Sequence, residues 1–237
     1  MTAWQAKRFW KQALAVPCDG GFTVTLDAKP LRTPAKRPLV LPNSAMAAAI
    51  AAEWDAQQGK VRPETMPMTR FANSAQEKVA PQAGQVADYL ATYAETDLLC
   101  YRAIGPDSLI RRQAAAWDPV LDWAAREHRA PLVTVQGVMP VPQPPESLVR
   151  LRAALTDFSA FQLTGFHDLV GLGGSFVLAL ALVSGRLQAE DAFERTRIDE
   201  IWQAELWGQD DEAAEHAVGK RRDFLAAFGF WRLAAAI

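Results

Sequence analysis

Phe22, Val24 and Leu26 alternate with Thr23 and Thr25, and a turn over Asp27–Lys29 leads into Leu31, the period-two pattern of a half-exposed hairpin. A second extended run, Pro38–Leu41, follows. Near Asn43 or Ser44 the pattern changes to an alanine-rich helix capped by one of those side chains, with Met46, Ala49, Ile50 and Trp54 on one face. Beyond Thr69 the helical period dominates, broken at Pro81, at Gly105–Pro106 and in the proline-rich stretch Pro140–Pro145. Asp118 before Pro119 reads as an N-cap and first-turn proline, so residues 108–128 are expected as two successive helices or one kinked helix. A short strand is allowed at Leu132–Val135. Further helices are expected near 146–158, 166–184, 189–207 and 211–230. The pattern predicts an α+β chain, with a small strand-rich N-terminal domain over residues 1–78 carrying one helix and a larger α-helical domain over residues 79–237.

Composition narrows the function classes. Half of the 237 residues are hydrophobic, enough for a substantial core. The 25 basic and 27 acidic residues are well mixed and leave a net charge of -2, which gives no basis for binding nucleic acid or an anionic membrane surface. Cys18 and Cys100 stand far apart without zinc or disulfide spacing, so reduced thiols in a cytosol-like compartment are expected. The first residues, with Trp4, Phe9 and Trp10 among basic side chains, lack the apolar core of a secretory signal, and the chain reads as mature from its start. Leu169–Val183 is the most apolar stretch, but it falls short of the ~20 residues of a membrane-spanning helix and is interrupted by Gly171, Gly173 and Gly174; a buried core helix is expected, with no membrane insertion.

No catalytic constellation emerges. The run Gly171-Leu172-Gly173-Gly174-Ser175-Phe176 has Phe176 at the sixth fingerprint position and no βαβ surroundings, so the glycines are read as close-packing positions. Ser175 lacks the G-x-S-x-G elbow and reads as a buried or capping serine. His128, His167 and His216 lie apart, and His167 beside Asp168 is expected to hydrogen-bond poorly because adjacent helical residues diverge by about 100°. No cofactor and no metal are expected. What stands out is eight tryptophans, several beside charges. Read as one helix, Asp191–Gly208 places Glu194 and Glu205 with Ile198, Ile201 and Trp202, and on the other side Phe193, Thr196, Glu200, Gln203 and Trp207. Such mixing fits either internal pairing to Arg195 or Arg197, or an exposed docking face.

With these residues in view the chain resembles the ATP-twelve family of F-type ATP synthase assembly chaperones. The resemblance runs in order through Arg8-Phe9-Trp10-Lys11, Leu26-Asp27, Pro30–Pro34, Leu39–Pro42, Ala52–Asp55 and Met66–Asn73. More specific blocks are Tyr93–Arg102, then Gln113 followed by Trp117-Asp118-Pro119, Gly174-Ser175 with the apolar run Val177–Leu182, and Arg197–Glu200 leading to Trp202-Gln203 and Glu205–Gly208. Ala28 departs from the family, where a turn glycine is usual.

The resemblance implies a strand-rich domain joined to a helical one, no ATP consumption, and the free alpha subunit of F-type ATP synthase as partner, its apolar surface covered until the beta subunit replaces the chaperone. It places the partner-binding residues at Glu200, Gln203, Glu205 and Trp207, then Asp199 and Trp202. Glu95, Thr96, Asp97, Tyr101 and Arg102, with Trp117 and Asp118, are assigned a structural or interdomain role. The absence of an import extension points to a bacterial, cytoplasmic member or a processed form, relatives with a presequence residing in the mitochondrial matrix. A monomer is the favoured state. The competing readings are a hydrolase or transferase with an interdomain cleft, and a nonspecific holdase.

Overall fold

The computed structural model describes residues 7–208 and 210–236; Trp4, singled out above, lies outside them. Strands β1 (Ala13–Cys18), β2 (Gly21–Leu26) and β3 (Lys29–Pro30) form an antiparallel sheet in the order β1-β2-β3, Ala13 facing Leu26 and Leu26 facing Lys29. Of the alternating apolar residues Val24 and Leu26 are core residues and Phe22 is partly buried, while Thr23 on the other face is buried as well. The turn after β2 carries its left-handed residue at Asp27 (φ 53°), whose carboxylate accepts from the N–H groups of Lys11 and Gln12. The run Pro38–Leu41 makes isolated bridges, Phe22 with Leu41 and Arg32 with Pro38, rather than a strand.

Helix α1 (Ser44–Asp55) is capped by Asn43, whose Oδ1 accepts from Met46 N–H at 2.9 Å. It places Met46, Ala47, Ile50 and Ala51 in a core shared with Trp10, Val24, Leu26, Leu31, Leu39 and Leu41. Helix α2 (Pro67–Ser74) runs through a π turn, Ala75–Val79, and a 3-10 turn into α3 (Ala83–Thr92). The described residues divide into two compact units: those of 7–83, 159–165 and 229–236, and those of 84–158, 166–208 and 210–228. The first unit holds the sheet, and the late residues Phe161, Phe230, Leu233 and Ala234 complete its core.

Helices dominate the second unit. It contains a two-residue parallel ladder of β4 (Tyr101–Arg102) with β5 (Val135–Gln136), Tyr101 opposite Val135. Helix α4 (Asp107–Glu127) is one helix with Pro119 inside it. Asp118 is therefore not an N-cap: it stands mid-helix, its carboxylate 2.7 Å from Arg102. After α5 (Pro145–Ala153) the apolar stretch forms two helices, α6 (Ala160–Gly173) and α7 (Phe176–Val183), where a single helix over 166–184 was expected. The break has a physical cause at Gly174, which takes φ +67° and offers its carbonyl to Leu98 N–H. Ser175 then caps α7 by accepting from Leu178 N–H, and it is fully buried. Gly173 sits where an added β-carbon would come within 3.2 Å of Thr196, so its role is close packing, as the sequence suggested.

The expected helix over 189–207 is also two: α8 (Ala189–Arg195) and α9 (Ile198–Trp207). The carbonyl of Arg195, where helical bonding stops, is taken by the buried Trp117 indole N–H at 2.9 Å, and Thr196 Oγ1 donates back to Phe193 O. Glu194 and Phe193 thus do not share a helix with Glu205 and Trp207, and the single-helix face drawn from periodicity is corrected accordingly. The last helix is α10 (Asp211–Ala235). No helix among the described residues is long and apolar enough to cross a membrane.

Candidate partner-binding site

Helix α9 begins with an acidic turn, Asp199 and Glu200, favourable at a helix N-terminus, and ends at Gly208 with φ 87°. Its inner side is fastened to α4. Gln113, 1 % exposed, donates through Nε2 to Asp199 Oδ1 at 2.6 Å and accepts Ala103 N–H at 2.8 Å. Arg112 forks onto Glu205 with two bonds, 2.6 and 3.0 Å, and this hydrogen-bonded partner holds the Glu205 carboxyl below the ordinary carboxylate range. Below this, Arg195 donates to the Ala116 carbonyl and to Asp191. Ile198 is the one fully buried apolar anchor of α9.

The outer side is open. Trp207 is 74 % and Leu206 56 % exposed. Trp202 is half-buried and meets Trp207 edge to face at 6.0 Å. Gln203 is exposed, and Glu200 is held by Arg197. Between α9 and α10 runs a groove of about 350 Å³ lined by Arg197, Glu200, Gln203, His216 and Lys220 over a floor of alanines. The six residues assigned to partner binding thus differ in setting: Asp199 and Glu205 are bonded to α4, Glu200 and Gln203 line the groove, Trp207 stands in solvent, and Trp202 is half-buried against Trp207.

The second set lies in the same unit. Asp97 is fully buried and accepts from Leu99 N–H at 3.0 Å and Val177 N–H at 3.0 Å, binding the turn before β4 to the start of α7. Burial pushes its carboxyl up to about 6 against these donors. Arg102 pairs with Asp118, stacks over the Trp117 ring and donates to Leu99 O. Tyr101 is half-buried, and Glu95 and Thr96 are exposed. Arg112 gave no signal in the sequence, because an arginine on a helix face reads as solvated until its partner from another helix is known.

His167 Nδ1 stands 2.9 Å from Asp168, against expectation: the angular divergence of neighbours on a helix is offset by the reach of the two side chains at the exposed surface. Tyr89 stacks on the same imidazole. Among the described residues, no group of three or more His, Cys, Asp or Glu side chains is placed to hold a metal ion. Cys100 is buried, and burial, with Asp97 beside it, pushes its thiol up to about 12, well away from thiolate chemistry.

Comparison with known proteins locates this architecture. Over residues 7–125 the sequence matches the family described as ATP12 chaperone protein. The solved structure of Atp12 from Paracoccus denitrificans is 50% identical, with a TM-score of 0.93 over 97% of this chain and 98% of that one. A solved protein of Agrobacterium tumefaciens is 41% identical, with a TM-score of 0.92 over 96% of this chain and 86% of its own. The mitochondrial protein atp12 of Schizosaccharomyces pombe is 24% identical over 88% of this chain and 76% of its own length. Sequence and fold agree along nearly the whole chain, which therefore belongs to the ATP12 family of ATP synthase assembly chaperones.

Proposed function

We propose that the chain binds the free alpha subunit of F-type ATP synthase and shields the surface that the beta subunit later covers, without any bond-making step. An unassembled subunit exposes apolar surface that associates nonspecifically, and a reversible complementary face suppresses this. The observation that carries the reading is the outer side of α9, where Trp207 and Leu206 stand in solvent beside Gln203 and the groove to α10. Large apolar side chains held outward on an anchored helix supply the anchors of a protein interface. Trp207, Trp202, Gln203 and Glu200 are the contact residues of this reading; Asp199 and Glu205 hold the helix in place through Gln113 and Arg112.

Co-expression with alpha subunit and size-exclusion chromatography is the test. A co-eluting complex that Trp207→Ala weakens about tenfold or more, with unchanged melting, supports the reading. Recovery of equally soluble, assembly-competent alpha subunit without the chaperone overturns it.

A further inference from the structure

A second concentration of exposed apolar side chains lies at the β4–β5 ladder: Ile104 is 76 %, Val133 45 %, Val138 86 % and Met139 74 % exposed. Ile104 follows β4, and Val138 and Met139 follow β5. An added β-carbon at Gly137 would lie 3.5 Å from Ile104 Cδ1, so the two segments run against each other. The display is held in place. Gly137 N–H donates to Arg102 O at 2.8 Å, the buried Gln143 amide grips Val133 by both its N–H (2.7 Å) and its carbonyl (2.9 Å), and Ser147 Oγ donates to Pro131 O. Pro140, Pro142, Pro144 and Pro145 stiffen the return. A framed loop that keeps such side chains outward is preorganised for contact, since little chain entropy remains to be lost on binding.

Two further observations define the occupant. Residues 130–145 contain no charged side chain, so the patch offers nothing to a phosphate backbone or an anionic lipid headgroup and fits an uncharged apolar protein surface. The patch is also linked to the α9 site through one buried side chain. Ala103, next to Ile104, donates its N–H to Gln113, and the same buried amide donates to Asp199 in the first turn of α9. One side chain therefore ties both surfaces to α4.

We propose that Ile104, Val138 and Met139 form a second contact for the same client, taking an uncharged apolar stretch of the unassembled alpha subunit; this rests on the α9 reading above. Two spaced contacts on one body raise affinity by effective concentration and select a client whose surface matches both.

The test uses the full chain with Val138→Asp and Met139→Asp together, and Trp207→Ala alone, titrated with purified alpha subunit. All these positions are exposed, so melting temperature should hold; if the aspartates unfold the chain, Val138→Ser with Met139→Gln takes their place. The expected result is a loss of about tenfold or more for the patch variant, further increased when combined with Trp207→Ala. Unchanged binding by the patch variant, with Trp207→Ala weakened, overturns this proposal and leaves the α9 reading standing. Unchanged binding by both removes the two together, and weakening by the patch variant alone keeps the patch while removing α9. A chaperone that elutes as a dimer and becomes monomeric on the patch substitutions, with client affinity intact, makes a second copy the occupant and overturns the proposal. Retention on neutral phosphatidylcholine vesicles, lost in the variant with client affinity intact, does the same in favour of a lipid surface.

Discussion

Asp97 has no exposed surface, yet its oxygens take the N–H groups of Leu99 and Val177. Desolvation favours the neutral acid and those donors favour the carboxylate; desolvation prevails, and the carboxyl sits at about 6 from an ordinary 3.8. A carboxyl raised in the folded state contributes stability that is complete below its unfolded value and is lost as pH rises through its folded value. The stability advantage of the native side chain over Asp97→Asn should therefore shrink by up to about 3 kcal/mol between about pH 4 and pH 7. Urea unfolding of both proteins across that range measures it, and a difference that stays flat or grows with pH refutes the account. The neighbouring glycines give a second, two-signed expectation. Gly174 adopts φ +67°, so Gly174→Ala should cost about 1 kcal/mol, whereas Gly171 lies inside α6 with open space around its α-carbon, and Gly171→Ala should gain up to about 1 kcal/mol. Thermal unfolding of the pair gives both signs at once. In the sequence the two glycines look alike, because what separates them is a backbone angle set by where the chain must turn.

Between elements, the legible part was periodicity and the illegible part was where periodicity is cut. The strand at Phe22–Leu26 and the cap, expected at Asn43 or Ser44 and found at Asn43, depend on near neighbours, and both form. The breaks after Gly173 and Arg195 depend on groups far along the chain: Leu98 and Asp97 in one case, Trp117 in the other. Asp118 likewise has a partner out of reach of local pattern, Arg102, and stands mid-helix despite the Asp-Pro signal. Trp117 is the most testable of these groups, because its indole N–H satisfies a helix-terminal carbonyl while its ring fills the core and carries Arg102. Trp117→Phe keeps much of the ring but removes the donor, leaving the Arg195 carbonyl without that partner. A loss of about 1–3 kcal/mol is expected, together with faster amide exchange at the start of α9. Equal exchange there would show that the α8–α9 junction does not depend on this bond.

For the molecule as a whole, the sequence order of a strand-rich segment followed by helices matches the structure, and it matches the Atp12 architecture. The return of residues 159–165 and 229–236 to the first unit has no local signature: Asn43 Nδ2 donates to the carbonyls of Leu233 and Ala236, and Phe230 packs against Phe71, contacts between residues far apart in sequence. At the proposed site the sequence offers the side chains of α9 but not the partners that hold some of them. Glu205 reads as a docking charge until Arg112 is seen to hold it, and Glu200 is likewise met by Arg197. This pairing bears on the thermodynamics of the proposed complex. If the carboxylates of α9 are already paired within the chain, client binding draws on Trp207, Leu206 and the Ile104–Met139 patch rather than on new ion pairs, since breaking an internal pair to form an external one yields little net energy. Calorimetric titration with alpha subunit should then show a negative heat-capacity change and only a weak response, about threefold or less, when salt rises from about 0.05 to 0.5 M. A steep fall in affinity with salt would mean that Glu200 and Glu205 leave their arginines to meet the client, and would return them to the centre of the interface.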